Sequence, residues 1–213
     1  MRKIFVMAFL ALGVSVMAQH VTPLSIEIAE VKIDSLRSLY SSEPTMYRAS
    51  LDVVAQDLAK NAEQLKAAKA ELKDEQNHAK EMEGSLKEAQ KMTAELKKVY
   101  DKEEGALKGM QKTIEKQQRK LASNRRLNQD ARDNYSQMLE KQQKELGYSL
   151  REVAERQHAI ADLETSIQNW QTTLQSFRQE TVQKESQLAQ LEETYKQRLA
   201  ILKAEQKSAK SMQ

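Results

Sequence analysis

The chain has no cysteine, two prolines, five glycines, three phenylalanines and one tryptophan in 213 residues. Without cysteine there are no disulfides, no thiolate metal sites and no thiol nucleophile. Lipid attachment at a cysteine is excluded on the same ground. So few glycines leave little material for a phosphate-cradling loop or a nucleophile elbow, and no HExxH, GxSxG or calcium-loop spacing occurs. The histidines are His20, His78 and His158, too scattered to form a metal site and expected on solvated faces. Neither a catalytic site, a cofactor nor a metal is expected. Acidic neighbours such as Glu81 and Glu83, or Glu192 and Glu193, read as solvated helix faces rather than paired carboxylates.

Excess charge of one sign is also missing. The formal net charge is +3, and two of those charges, Arg2 and Lys3, lie at the extreme N-terminus. Those two residues open a stretch, MRKIFVMAFLALGVSVMAQH, that reads as a secretory signal: a basic start, an apolar core from Ile4 to Val14, and Val16 and Ala18 at the positions a signal peptidase inspects. The apolar run is shorter than the roughly 20 residues a membrane span needs. Residues 1–18 are therefore expected to be removed, leaving Gln19 first, a net charge of +1 and no membrane span. A mature chain so close to neutral carries no expectation of nucleic acid as a partner.

What is present in abundance is charge of both signs, 31% of the residues. Such a composition suits either a long helix or a disordered polyampholyte. Periodicity decides between them. Leu51, Leu58, Leu65, Leu72, Ala79, Leu86, Thr93, Tyr100, Leu107, Ile114 and Leu121 recur at intervals of seven. A companion series three residues later holds Val54, Ala68, Met82, Ala89, Leu96 and Met110, interrupted by Asn61, Glu75, Glu103 and Gln117. A second run holds Leu139, Leu146, Val153, Ile160, Ile167, Leu174, Thr181, Leu188, Tyr195 and Leu202, with Leu163, Trp170, Phe177 and Leu191 as companions. A heptad repeat keeps one seam facing a partner helix, which is the pattern of a coiled coil.

The phase breaks between Leu121 and Leu139, across KLASNRRLNQDARDN. A break of this size fits either a stutter in one continuous helix or a turn. Local chemistry points to the turn. Asn124 and Asn128 tolerate the left-handed conformation of a helix end. Asn128 or Asp130 can cap a returning helix, with Asp133 in its first turn, while Arg125 and Arg126 suit the end of the preceding helix. The two arms then pair within one chain, in a register where facing residue numbers add to about 253, setting Leu51 against Leu202 and Leu107 against Leu146. That register also brings Gly84 and Ala79 towards Trp170, and Gly105 towards Tyr148, small residues beside large ones.

The expected fold is thus all-α, a long antiparallel coiled-coil helical hairpin preceded by a short N-terminal helix. Its divisions are residues 1–18 (signal), 19–44 (N-terminal segment), 45–123 (first arm), 124–130 (apex), 131–206 (second arm) and 207–213 (a polar tail that should fray). Within the N-terminal segment, LSIEIAEVKIDSLRSLY alternates like a strand at Leu24, Ile26 and Ile28, then takes helical spacing at Ile33, Leu36 and Tyr40. The expected helix covers Ser25 to Tyr40. Pro44 is pre-set for a first helical turn, with Ser42 or Glu43 as its cap.

Two sets of residues are candidates for partner binding. Residues 112 to 132 carry seven cationic side chains, Arg119, Lys120, Arg125, Arg126 and Arg132 among them, against Glu115 and Asp130. They compensate a helix dipole, or they form a docking tip for an acidic protein surface or an anionic polymer. Trp170 and Phe177 fall on the heptad and so belong to the seam, or else they anchor a partner.

The plan of an export signal followed by a long helical hairpin resembles the Skp-like periplasmic chaperones, although AILKAEQKSAKSMQ supplies no closing strand of the kind their trimeric base uses. It is also similar in kind to the hairpins of efflux adaptors and of cell-wall hydrolase activators, without those proteins' additional domains. The expected function is a structural or adaptor role in a bacterial cell envelope, periplasmic or secreted, binding another envelope protein or itself. A Skp-like holdase is the alternative.

Overall fold

The computed structural model describes residues 21–124 and 126–211. The expected signal and cleavage point lie outside them. Three helices follow an extended N-terminal segment: α1 (Ile33–Ser42), α2 (Pro44–Ser123) and α3 (Gln129–Ser211). No strand occurs among the described residues. The molecule divides into two compact units. Of the described residues, the strap unit comprises 21–83 and 173–211, and the turn unit Gly84–Thr172.

In each unit α2 and α3 run antiparallel, as an all-α hairpin requires. With the leucine series labelled a and the companion series d, the a positions of both helices form the seam: Leu51, Leu58, Leu65, Leu72, Leu86, Leu139, Leu146, Val153, Ile160 and Ile167 are all buried. Each fully buried aliphatic side chain contributes about 1.5–3 kcal/mol. Thr93 and Thr181 sit in the same series, and each hydroxyl donates to the carbonyl four residues back, Ala89 and Phe177 respectively, at 2.8 Å. That local bond lets a polar atom enter the seam without an unmet hydrogen-bonding group.

One flank of the seam is zipped by side chains four residues beyond each a position. In the strap unit Lys69 pairs with Glu192, and Glu83 with Arg178. In the turn unit Lys97 meets Glu164 at 2.7 Å, Gln157 donates to Glu104 at 3.3 Å, and Gln118 to Gln143 at 2.9 Å. Every one of these pairs has residue numbers adding to 261, as a seam register of 253 demands of positions shifted by four on both helices.

The strap unit has a third layer. Residues 21–32 are extended rather than helical, so the expected helix begins at Ile33 instead of Ser25. The alternation at Leu24, Ile26 and Ile28 is real, but it serves a strap lying on the hairpin, not a sheet: these three side chains pack against the cluster of Leu65, Ala68, Leu72 and Leu188. With no neighbouring strand, side chains satisfy the strap's backbone. The Asn61 carboxamide accepts from Ala29 N–H and donates to the Glu27 carbonyl, both at 2.9 Å. Glu75 accepts from Thr22 N–H at 3.3 Å and Glu180 from Val21 N–H at 3.2 Å. From Thr22 to Ala29 an extended chain covers about 23 Å at ~3.3 Å per residue. From Glu75 to Asn61 helix α2 rises about 21 Å at ~1.5 Å per residue. Strap and helix therefore keep pace.

Val31 at the end of the strap and Leu36 of α1 close over Tyr47, Leu51, Leu58, Leu202 and Ala209. Ala209 belongs to the tail that was expected to fray. Instead α3 continues to Ser211, because α1 gives the last turns an apolar surface to pack on. Pro44 opens α2 as anticipated, with the Glu43 carbonyl accepting from Tyr47 N–H at 3.0 Å.

At the turn, no non-glycine residue among those described has a positive φ, so Asn124 and Asn128 do not act through left-handed backbone. They act through their side chains. Asn124 Oδ1 accepts from Arg126 N–H at 3.0 Å, an Asx-type turn, and Asn128 Oδ1 accepts from Ala131 N–H at 2.8 Å, capping α3. The glycine pairings fail. A Cβ on Gly84 or Gly105 would meet nothing within 4 Å, and Tyr148 is 69% exposed. Neither glycine makes room for an aromatic ring.

Candidate interaction surfaces

The cationic candidates near the turn separate into two groups. Lys112, Lys116, Arg119, Lys120 and Arg126 are exposed, and none takes part in an ion pair among the described residues. Arg132 differs. It stands at the a position facing Leu121, and its guanidinium folds back over the turn to donate to the Asn124 carbonyl at 2.7 Å. It caps the end of α2, which gives this side chain a structural role at the turn. Arg125 lies outside the described residues.

The aromatic candidates are both interior. Trp170 in the turn unit and Phe177 in the strap unit are each 7% exposed. Phe177 meets His78 edge-on, ring centroids 6.2 Å apart, so His78 packs on the seam instead of standing free in solvent. The buried indole N–H of Trp170 has no hydrogen-bond partner among the described residues. Both rings do the work of seam residues, in surroundings no partner reaches without separating the helices.

The sequence singles out neither Lys184 nor Glu205, and it shows Asn61 only as a polar interruption of the companion series. Lys184, 3% exposed, occupies a d position of α3 and bonds Glu75 at 2.8 Å with Glu71 at 3.7 Å. Glu205, another d position, accepts from Tyr47 Oη at 2.9 Å and lies 3.5 Å from Arg37. Asn61, a d position of α2, holds the strap. Their common signal is a polar residue interrupting an apolar companion series. All three are explained by elements of the strap unit, which makes them structural.

The turn unit has an open groove on the flank opposite the zipped one. Its volume is about 640 Å³, and it is lined by Leu107, Ile114 and Leu146, with Met110, Gln117, Gln142, the Glu145 carboxylate and the Thr113 and Ser149 hydroxyls. Met110 is 59% exposed and Val99 56%. Farther from the turn, Arg156 covers the Tyr100 ring at 5.5 Å while pairing with Glu103 and Glu152. On the zipped flank, the hydrogen bond to Glu164 and then its charge hold the Lys97 ammonium above its usual range. Hydrogen bonds from Lys108 and Gln157 hold the Glu104 carboxyl below its own.

Chemically, the turn unit offers free cations for an anionic surface and an apolar groove edged with carboxamides. Among the described residues no group of three or more His, Asp or Glu side chains could hold a metal ion, and no helix is long and apolar enough to cross a membrane. No protein-family model, curated protein or solved structure matches the chain.

Proposed function

We propose that this chain is an exported, non-catalytic hairpin protein acting as a structural or adaptor component of a bacterial cell envelope, and that it docks through the tip of its turn unit. The observation supporting this reading is the set of five exposed cations, Lys112, Lys116, Arg119, Lys120 and Arg126, left without carboxylate partners among the described residues. Lys69, Lys97, Arg178 and Lys184, farther from the turn, make cross-helix pairs, and what marks the tip is its charge excess, seven cationic residues against Glu115 and Asp130 over residues 112 to 132. Compensation of the helix dipole accounts for charges in the last turn of α2. It does not account for Lys112 and Lys116, which lie farther back. The complementary partner is an acidic protein surface or an anionic envelope polymer.

The test is capture from envelope extracts by the full chain and by a variant carrying Arg119→Glu, Lys120→Glu and Arg126→Glu. The reading predicts one saturable partner, bound at least tenfold more weakly by the variant at low ionic strength, with the difference shrinking as salt screens it. Unchanged binding by the variant refutes docking at the tip. Broad, unsaturable capture of unfolded chains by a cage-sized oligomer would replace the adaptor with a Skp-like holdase. A mature N-terminus at Gln19 is the expected mark of export, and retention of residues 1–18 argues against it.

A further inference from the structure

In the strap unit the d positions of α2 lie beneath an extended segment, and that contact has a recognisable chemistry. Leucines at a positions (Leu65, Leu72, Leu188) make an apolar floor for alternate strap side chains. A carboxamide at a d position, Asn61, meets a backbone N–H and a backbone carbonyl of the strap. The corresponding heptad positions of the turn unit repeat both ingredients. The floor is Leu107, Ile114 and Leu146, and the carboxamides at d positions are Gln117 and Gln142. Leu146 is buried and Leu107 and Ile114 half-buried between the two helices, but no third element among the described residues overlies this flank, and Met110 beside it is 59% exposed.

We infer that this groove docks an extended segment of a partner protein bearing apolar side chains at alternate positions, held as the chain holds its own strap. Carboxamides both donate and accept, so they match a peptide backbone whose hydrogen-bonding groups are free. A helix bonds its backbone groups internally, so it would offer Gln117 and Gln142 side chains alone and none of the backbone partners that Asn61 meets in the strap. An extended peptide leaves its backbone available. The size follows from the floor. Leu107 to Gln117 rises about 15 Å, room for about five extended residues at ~3.3 Å each. Two or three alternate side chains would enter. The inference rests on the docking role proposed above for the turn unit and specifies what kind of segment the partner presents there.

A single cysteine replacing Thr113 at the groove, labelled with an environment-sensitive fluorophore in the otherwise cysteine-free full chain, reads occupancy directly. The probes are a synthetic peptide of the strap sequence, VTPLSIEIAEVK, and a permuted peptide of equal composition with its apolar residues at helical spacing. The expected result is a saturable blue shift with the strap peptide, at least tenfold weaker with the permuted one and at least tenfold weaker in Met110→Glu. Because Met110 is exposed, that variant should fold, and its helicity confirms it. No saturable shift, an equal response to the permuted peptide, or indifference to Met110→Glu overturns the inference. If the peptide fails while a saturable envelope partner is still captured, the groove inference falls and the adaptor reading stands. If the peptide binds and no saturable partner is found, the groove stands and the adaptor reading falls.

Discussion

The hydroxyl of Tyr47 donates a 2.9 Å hydrogen bond to the carboxylate of Glu205, joining the first turn of α2 to the last turns of α3 across 158 residues of sequence. Tyr47 is 2% exposed and Glu205 6%, so water replaces neither partner. Tyr47→Phe keeps the ring and leaves the carboxylate with Arg37 alone. The expected loss is about 1.5–3 kcal/mol, the range for a hydrogen bond to a charged group, measured by urea unfolding followed by circular dichroism. A change under about 0.5 kcal/mol, typical of an innocuous surface substitution, would mean that this contact does not hold the ends of the helices.

Asn61 binds the strap twice, so its replacement tests the third layer separately from the hairpin. Asn61→Leu should raise amide exchange at Ala29 at least tenfold and expose Lys32 to trypsin. Protection of the seam around Leu139 and Val153 should not change. Loss of protection throughout the chain would show instead that Asn61 supports the seam itself.

The zipped flank of the turn unit should respond to pH at both extremes. Glu104 has its carboxyl held below the ordinary value of 4.5, so its contribution is present above that value and lost as pH falls through the lowered one. Lys97 is held above its ordinary 10.5, so its contribution is present below that value and lost as pH rises through the raised one. Both pairs are at the surface and their effects are small. Thermal melts should be flat between the two limits for these pairs. Glu104→Gln should shrink the acid-side loss and leave the alkaline side unchanged. An equal change on both sides would contradict the assignment.

The heptad was legible because it is the trace that burial leaves in sequence: only apolar or small residues survive where Leu107 meets Leu146, so their spacing reveals the seam. The register came from placing the apex at residues 124–130, since any two seven-residue repeats give some constant sum. The strap was not legible in the same way. Three alternating residues, Leu24, Ile26 and Ile28, suit a strand, a short helix or a segment laid on another surface, and only the groove around Leu65 and Leu188 distinguishes them. Asn61 was visible as a break in the companion series, and Lys184 and Glu205 were passed over at the same kind of position. A polar break reads alike whether water or a third element satisfies it. The inference that Gly84 and Gly105 make room for large residues was mistaken, since open space surrounds both. Arg132 could be counted as a free charge until the turn geometry showed it bound to Asn124.

Everything proposed for the turn unit depends on its two helices pairing within one chain. Leu107 and Leu146 line the same groove in a register of 253, and the chain has no cysteine to interfere. A disulfide requires Cα atoms within about 7 Å. In a continuous helix, positions 39 residues apart in sequence would be separated by about 58 Å. With cysteines at both positions, mild oxidation should give a crosslinked monomer, in a yield that dilution does not change. Crosslinks found exclusively between chains, or a yield that falls with dilution, would contradict the account.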